Sequence, residues 1–318
     1  MLFLLSAAAA AAATPNPTPV IGVLTQPIDA SLKNLYCSAC SQYTVASYAK
    51  WIEAAGARAA LLQYNGTAEM LSASFKQLSG LVIPGGHCGF HTTQYGANTA
   101  RLLEMAKDAK DFPVWGTCQG FQQLAQFAAT GSNMHPSVLH RTGNATDGVA
   151  LPLDFAVDPK RGTRMLADAP ESVVQTLTSK PVTLNLHHYS LLANESRLHP
   201  NISATFRTIA TNTVDGVEFV SMLEGRELPF YASQFHPEKN AFEWDQAWCS
   251  SARVDAAEAH SDAAIQAVGW LARFFVGEAR KCSHRWAGGV KGSCALTYET
   301  VPTHTPRSDD KWEQCFLQ

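Results

Sequence analysis

The stretch Gly116-Thr-Cys-Gln-Gly120 decides how this chain folds, because it places a cysteine where an apolar run turns into a helix. The apolar run is 112–115, and the helix-like stretch is 121–129. Small residues on both sides of a nucleophile permit the tight strand–turn–helix geometry of a nucleophile elbow. The first helical N–H groups would then favour a reactive thiolate. We therefore interpret Cys118 as a nucleophile, with a buried structural cysteine as the alternative.

A later histidine is the candidate base for this cysteine. His236 ends the apolar run 229–235, because Pro237 cannot donate to further strand pairing and keeps the preceding residue extended. Glu238 is close enough in sequence to hydrogen-bond the imidazole and fix its tautomer. A His-Pro-Glu string alone also fits a surface turn. Together with the elbow, it predicts a Cys118–His236–Glu238 site.

A glycine turn is the third candidate element of the site. The run 80–86 reads as a short buried strand that ends in Pro84-Gly-Gly86. Paired glycines let the backbone approach a ligand and point N–H groups at it. We expect the amides of Gly86 and Gln119, with Gly85 beside them, to bind an oxyanion. An ordinary turn is the alternative.

Strand and helix candidates alternate up to residue 130. The strand candidates are 20–24, 57–63, 81–83 and 114–116, and the helix candidates are 42–55, 69–78 and 97–109. This order predicts an α/β fold whose parallel sheet has helices on both faces and its chemistry at the carboxyl ends of strands. The second half is less regular, with strand candidates 182–186, 205–211, 217–223 and 229–235 and a helix candidate 262–275.

These motifs resemble the class I glutamine amidotransferase-like superfamily, and longer strings resemble its gamma-glutamyl hydrolase family. The resemblance covers about residues 19–280 and rests on Val20–Leu24, Ala46–Lys50, Glu53–Arg58, Phe112–Cys118, Asn185–His187, Met222–Gly225, His236–Lys239 and Glu243-Trp244. It implies a flavodoxin-like, three-layer fold with a parallel or mixed sheet. It also implies a thiol hydrolase that cleaves the gamma-glutamyl bonds of folate and antifolate poly-gamma-glutamates without a cofactor.

Three further residues are candidates for substrate binding. His187 and His188 close a strand-like run, and neighbours on a strand face opposite sides, so only one of them can enter the site. The resemblance selects His187. Lys239 and Tyr43 are candidates for binding a substrate carboxylate, although a solvated lysine is the alternative for Lys239. The departure from the family pattern is Gln122, where relatives often carry an acid.

The remaining cysteines and histidines give no metal site. His87, Cys88 and His91 have loosely metal-like spacing, but no second pair completes a tetrahedral site, so a glycine-rich active-site loop is the better interpretation. Cys88 is a rival nucleophile that lacks the strand–turn–helix context. For Cys37-x-x-Cys40, a disulfide or two unpaired thiols is favoured over a redox pair.

The N-terminus and the sequons predict a secretory route. Residues 1–13 read as a signal peptide that is too short to span a bilayer, and no later segment is long and apolar enough to do so. Glycosylation sequons begin at Asn65, Asn144, Asn194 and Asn201. The expected location is extracellular, lysosomal or vacuolar. The chain has 24 Lys and Arg against 27 Asp and Glu without a basic block, which argues against a nucleic-acid partner.

The predicted organisation is one catalytic domain followed by a tail. Residues 14–280 form the catalytic domain, and 281–318 form an irregular appendage that contains Cys282, Cys294 and Cys315. Disulfides that tie this appendage are one alternative, and the sequence leaves the pairing open. The expected partner is a small-molecule substrate, with no membrane partner and with homodimerisation left open. Two alternative functions are a glutaminase subunit that serves a synthetase and a non-catalytic binding protein on the same fold.

Overall fold

The computed structural model describes residues 14–131, 137–244 and 247–318. Its strands are β1 (Val20–Leu24), β2 (Gln26–Pro27), β3 (Gln42–Val45), β4 (Arg58–Leu62), β5 (Gly80–Ile83), β6 (Val114–Thr117), β7 (His140–Arg141), β8 (Asp147–Leu151), β9 (Asp154–Phe155), β10 (Thr183–Leu186), β11 (Tyr189–Ser190), β12 (Phe206–Val214), β13 (Val217–Gly225), β14 (Phe230–Ser233), β15 (Cys294–Leu296), β16 (Thr303–His304) and β17 (Gln314–Leu317). The helices are α1 (Ala30–Leu35), α2 (Ala46–Glu53), α3 (Ala68–Phe75), α4 (Gln94–Ala109), α5 (Gln119–Thr130), α6 (Pro159–Gly162), α7 (Glu171–Ser179), α8 (Ala193–Leu198), α9 (Pro200–Thr205), α10 (Lys239–Phe242), α11 (Ala256–Ala259) and α12 (Asp262–Ala279).

The main sheet has nine strands in the order β15-β4-β1-β5-β6-β14-β13-β12-β9. Its five central strands, β4, β1, β5, β6 and β14, are parallel to one another. The strands on either side, β15 at one edge and β13, β12 and β9 at the other, are antiparallel to their neighbours. This mixed sheet confirms the predicted α/β class.

Helices cover both faces of the sheet, which gives the three expected layers. Strand β1 shows why: Ile21 and Val23 belong to one core cluster with residues of α2, α7 and α12. Val20 and Leu24 point the other way, into a cluster with residues of α3, α4 and α5. All five residues of β1 are buried, as expected for a central parallel strand.

The predicted strands of the first half agree with the structure to within a residue, but the first predicted helix is wrong at its start. Residues 42–45 form strand β3, and α2 begins only at Ala46. The reason is pairing at long range. Strand β3 pairs with β2 on one side and with β17 on the other, in a small sheet that the local sequence does not announce.

The C-terminal tail, residues 281–318, is part of the fold, so the prediction of an irregular appendage is wrong. Strand β15 pairs with β4 at the edge of the main sheet, and β17 pairs with β3. Of the alternatives left open for the tail cysteines, the structure has the unpaired one, because Cys282, Cys294 and Cys315 are buried free thiols. The described disulfide joins Cys37 to Cys40.

The predicted signal peptide, residues 1–13, lies outside the described residues. Within the described ranges, no helix is both long enough and apolar enough to cross a membrane. All four sequon asparagines, Asn65, Asn144, Asn194 and Asn201, are exposed. Their exposure makes them accessible to a glycosylating enzyme, and their modification stays a prediction.

Candidate active site

Cys118 stands at the turn between β6 and α5, with φ 50° and ψ −104°. A residue with a side chain rarely adopts a positive φ, so this backbone is strained. The flanking glycines are needed for close approach. A Cβ at Gly116 would lie 2.6 Å from the carbonyl carbon of Gly120, and a Cβ at Gly120 would overlap the carbonyl oxygen of Ile83. The local sequence therefore permits a turn that holds the thiol at the carboxyl end of β6.

His236 and Glu238 form a buried pair beside this turn. Their Nδ1 and Oε1 atoms are 2.7 Å apart, and both side chains are almost wholly buried. Burial by itself would lower the pKa of His236, but the Glu238 carboxylate and the Cys118 thiol outweigh burial and raise it to about 9. Burial opposes ionisation of Glu238 as well, and the imidazolium nevertheless lowers its pKa. Nδ1 is engaged by Glu238, which leaves Nε2 for the thiol.

Gly85 fits between the reacting groups. A Cβ there would lie 2.7 Å from Cε1 of His236 and 3.0 Å from Cβ of Cys118. Its N–H donates to the hydroxyl of Tyr48, at 2.7 Å, and this hydroxyl also lies 3.4 Å from Nδ1 of His236. Burial raises the pKa of Tyr48 well above its usual value, so the phenol stays neutral. The amide of Gly85 is thus already occupied.

Two other amides remain available beside the thiol. Gln119 begins helix α5, so its N–H belongs to the first turn, which has no acceptor inside the helix. Gly86 follows Gly85 in the loop after β5. Among the residues that the structure describes, none accepts a hydrogen bond from either amide. These two N–H groups are therefore the candidates for an oxyanion.

His187 directly follows strand β10, and the end of this strand lies beside the thiol of Cys118. The sulfur of Cys118 donates to the carbonyl of Leu186 at 3.7 Å. Nε2 of His187 lies 3.1 Å from Oδ1 of Asn185, and Nδ1 lies 3.2 Å from the hydroxyl of Ser190. Burial, helped by the charge on His236, lowers the pKa of His187 to about 3. His187 is therefore a neutral hydrogen-bonding group at physiological pH.

A cavity of about 820 Å³ opens over these residues. Its walls come from the glycine turn and the residues after it, the elbow, the end of β10, the start of α10 and the C-terminal tail. The lining includes Tyr48, Gly85, Gly86, His87, Cys88, Cys118, Gln119, Gln122, His187, His236, Lys239, Trp248, Asp309, Asp310 and Trp312. The cavity therefore brings together residues that lie as far apart in the sequence as Tyr48 and Trp312.

Of the predicted catalytic and substrate-binding residues, Tyr43 and Glu238 do not line the cavity, and Glu238 lies against His236. Tyr43 is the one that lies away from the reacting groups. It lies on strand β3 and packs against Trp312, with 5.2 Å between ring centroids. Because α2 starts at Ala46, the tyrosine that reaches the site is Tyr48, one turn further along. Lys239 lines the cavity and is buried, which argues against the alternative of a solvated surface lysine. No group of metal-binding side chains is found among the described residues.

Several lining residues were missed by the sequence analysis. Tyr48 lies inside a string that carried the family resemblance, which was the one available signal. Gln26, which packs on Gly86 without lining the cavity, gave no signal. The tail residues Asp309, Asp310 and Trp312 line the cavity and gave no signal either. They reach the cavity through pairings between segments that are far apart in the chain.

A cysteine at a strand–turn–helix elbow, with a buried histidine–glutamate pair beside it, is the arrangement expected of an α/β protein that uses a thiol nucleophile. The family model for peptidase C26 matches residues 19–238. The chain belongs to this family, and it is a hydrolase.

Curated relatives agree over most of the chain. It is 33% identical to gamma-glutamyl hydrolase of Bos taurus, over 92% of this chain and 88% of that protein. It is 32% identical to gamma-glutamyl hydrolase B of Dictyostelium discoideum, over 92% and 81%. It is 30% identical to gamma-glutamyl hydrolase of Homo sapiens, over 94% and 89%. A glutamine amido transferase structure from Methylobacillus flagellatus matches with a TM-score of 0.47 at 13% identity, over 85% and 97%.

Proposed function

We propose that this protein hydrolyses gamma-glutamyl amide bonds, with folate poly-gamma-glutamates as the substrate class. The observation that carries the proposal is the strained elbow at Cys118 beside the buried His236–Glu238 pair. The substrate class comes from the relatives, which bear the name gamma-glutamyl hydrolase. A cavity of about 820 Å³ has room for a glutamyl chain end.

The first half of the reaction forms a thioester. The Cys118 thiolate attacks the side-chain carbonyl carbon of the glutamyl residue, and the carbonyl oxygen becomes an oxyanion. The amides of Gly86 and Gln119 bind that oxygen. The tetrahedral intermediate collapses when the imidazolium of His236 gives its proton to the leaving α-amine nitrogen, and the C–N bond breaks. His236 is then neutral, as the second half requires.

The second half releases the acid. Neutral His236 takes a proton from a water molecule, and the hydroxide attacks the thioester carbonyl. The C–S bond breaks, which restores the Cys118 thiolate and the His236 imidazolium together with a free γ-carboxyl group. Glu238 holds Nδ1 throughout, so the imidazole keeps Nε2 directed at the reacting atoms. A loss of one oxyanion donor costs about 2.7–4 kcal/mol of barrier in such sites.

Substrate recognition is assigned to the cavity wall. A gamma-linked tail carries one α-carboxylate per residue, so the wall must offer hydrogen-bond donors and positive charge. Lys239 supplies a buried cation. His187 supplies a neutral ring that binds the substrate by exchanging its bond to Asn185 or to Ser190. Gln122 stands at the same wall as an uncharged hydrogen-bonding group.

The test is a product assay on the purified protein. We incubate it separately with a folate polyglutamate, with its α-linked isomer and with free glutamine, and identify the products by mass spectrometry. Release of glutamate or glutamyl peptides from the gamma-linked substrate alone supports the proposal. Ammonia from glutamine as the main product would favour a glutaminase instead. Cys118→Ala should abolish turnover, and Cys88→Ala should retain it.

We also propose that the protein follows the secretory route and carries N-linked sugar. The support is a signal-like start, residues 1–13, and four exposed sequon asparagines, Asn65, Asn144, Asn194 and Asn201. Endoglycosidase treatment of the protein from its natural cells should increase its gel mobility. An unchanged mobility together with an intact Met1 would contradict this route.

A further inference from the structure

The side-chain amide of Gln119 makes two hydrogen bonds to Cys88, one through Nε2 and one through Oε1. Nε2 donates to the main-chain carbonyl of Cys88 at 2.6 Å, and Oε1 accepts from the Cys88 sulfur at 3.2 Å. Gln119 is buried at the start of helix α5, and Cys88 belongs to the loop 84–93, which we name the glycine loop. The two bonds tie the glycine loop to the elbow.

The same two segments, helix α5 and the glycine loop, carry the two candidate oxyanion amides. The N–H of Gln119 belongs to a rigid helix that follows the nucleophile directly. The N–H of Gly86 belongs to the glycine loop, which contains neither a strand nor a helix between the end of β5 and the start of α4. Loops of this kind move more than the elements they connect. Two donors stabilise one oxygen only when both are held at hydrogen-bond distance from it.

Gln26 gives the loop a second attachment on the opposite side of Gly86. A Cβ added at Gly86 would lie 2.5 Å from Nε2 of Gln26, so the amide of Gln26 packs directly on this glycine. Nε2 of Gln26 lies 3.3 Å from Oε1 of Gln119 and 3.3 Å from the hydroxyl of Tyr95, to both of which it donates. Oε1 of Gln119 therefore accepts from both sides of the glycine loop.

The thiol of Cys88 suits a structural donor rather than a nucleophile. Burial raises the pKa of Cys88 to about 12, so the sulfur keeps its proton at physiological pH. A protonated sulfur can donate to the amide oxygen of Gln119, as the 3.2 Å distance requires. This accounts for a second cysteine in the cavity wall that the proposed mechanism does not use.

We infer that the Gln119 side chain is a positioning residue that fixes the Gly86 amide relative to the Gln119 amide, so that both reach the oxyanion. The inference rests on the proposed function. The side chain touches no reacting atom. It acts through the glycine loop, and its removal should lower the rate of bond cleavage more than the binding of substrate.

The experiment compares kcat and KM of four proteins on a gamma-linked polyglutamate: the wild type, Gln119→Met, Cys88→Ala and the control Gln126→Met. Gln119→Met keeps the length of the side chain and removes every hydrogen bond to Cys88. Gln126 is also buried on α5 and bonds to Thr130 and Val138, away from the cavity. Gln119→Met should lower kcat about 10–100-fold with KM changed less than about threefold.

Cys88→Ala should have a smaller effect, because the bond from Nε2 to the Cys88 carbonyl does not need the sulfur. A gamma-glutamyl aldehyde gives a second readout, because its thiohemiacetal oxygen occupies the oxyanion position. Its inhibition constant should rise with Gln119→Met by about the same factor as kcat falls. Thermal melts of all variants identify any that fail to fold, and Gln119→Leu, which also removes the hydrogen bonds to Cys88, replaces Gln119→Met if that variant is one of them.

Two results would overturn the inference: wild-type kcat in Gln119→Met, or an equal loss of kcat in Gln126→Met. Cys118→Ala, measured in parallel, separates this from the proposed function. If the wild type hydrolyses the substrate and Cys118→Ala does not, the proposed function stands whatever Gln119→Met does. If the wild type leaves the gamma-linked substrate intact, the proposed function fails first.

Discussion

Nδ1 of His236 lies 2.7 Å from Oε1 of Glu238, and both side chains are almost wholly buried. Each partner keeps the other charged against the cost of burial. The imidazolium is therefore the resting form at neutral pH, and it is ready to protonate a leaving amine. The pair also links folding to pH, since its pKa values differ between the folded and unfolded chain.

The alkaline limit of activity should follow His236. Its pKa is raised from 6.5 to about 9, so kcat/KM should fall with a midpoint near that value. Glu238→Gln removes the carboxylate that opposes the burial effect, so the midpoint should move by about one pH unit or more toward acid. A pH profile of both proteins measures this. An unmoved midpoint would show that another group sets the limit.

The same shift gives a stability prediction of fixed sign. The folded pKa of His236 lies above its unfolded value, so its contribution is fully present below pH 6.5 and is lost as the pH rises through about 9. The melting temperature of the wild type should therefore fall between these pH values. His236→Asn cannot hold the charge, and its melting temperature should fall less over the same interval. Parallel slopes would contradict the linkage.

Backbone strain at Cys118 predicts an unusual order of stability. At φ 50° and ψ −104°, glycine should be preferred to alanine. Cys118→Gly should exceed Cys118→Ala in free energy of unfolding by about 1 kcal/mol. Ala125 lies inside helix α5, which follows Cys118, and Ala125→Gly should instead lower the free energy of unfolding by about 1 kcal/mol. Urea unfolding decides the matter, and a less stable Cys118→Gly would mean that the elbow is unstrained.

His187 should act as a neutral group. Burial and the nearby His236 lower its pKa to about 3, so its titration should not enter a pH profile above about pH 4. His187→Gln should lower kcat/KM by about tenfold through lost hydrogen bonds and keep the shape of the profile. His140→Gln, at an exposed position outside the cavity, is the control. An acid limb that changes in His187→Gln alone would contradict a neutral His187.

The sequence predicts those parts of the site in which a reactive residue and the turn that positions it are neighbours in the chain. Cys118 sits between glycines that the elbow requires, and His236 and Glu238 are two residues apart, so local sequence contains the motif. Tyr48 was not chosen, because its position depends on where α2 begins. That boundary is set by pairing of Tyr43 with Leu317 and of Val45 with Cys315, contacts that span almost the whole chain.

The C-terminal tail is a second region whose structure the local sequence did not predict. Residues 281–318 carry no strong periodicity, yet Asp310 lines the cavity and lies 3.8 Å from His87 of the glycine loop. The tail strands β15, β16 and β17 are only three, two and four residues long, and β15 and β17 pair with β4 and β3. Short edge strands are defined by their partners rather than by their own sequence, which is why a local pattern did not reveal them.

Gln122 gives a prediction about the wall that faces the thiol. Its Nε2 donates to the main-chain carbonyl of Tyr189 at 2.7 Å, which attaches the segment after β10 to helix α5. In Gln122→Glu a carboxylate would repel that carbonyl, and only the protonated acid could restore the bond. Activity relative to wild type should therefore rise as the pH falls below about 5. Gln122→Met lacks both forms, so its relative activity should not depend on pH.

The last prediction concerns Lys239. Burial raises the pKa of Glu243 and of Asp310, and the charge of Lys239 opposes this rise; it also assists His236 in lowering the pKa of Glu238. Lys239 lines the cavity and is only 5% exposed. If it binds a substrate carboxylate, Lys239→Met should raise KM for polyglutamates by about tenfold with a smaller effect on kcat. Lys239→Arg, which keeps the charge, should lose less.

Burial also fixes the salt dependence of the Lys239→Met effect. An exposed charge pair would be screened, but a buried one is screened much less, so the KM ratio of Lys239→Met to wild type should persist from low to high ionic strength. Removing the cation also removes a charge that opposes the burial cost of Glu243 and Asp310, so the melting temperature should fall. Steady-state kinetics at two salt concentrations measure the ratio. An unchanged KM in Lys239→Met would exclude Lys239 from substrate binding, and a ratio that vanishes in salt would place its charge in solvent.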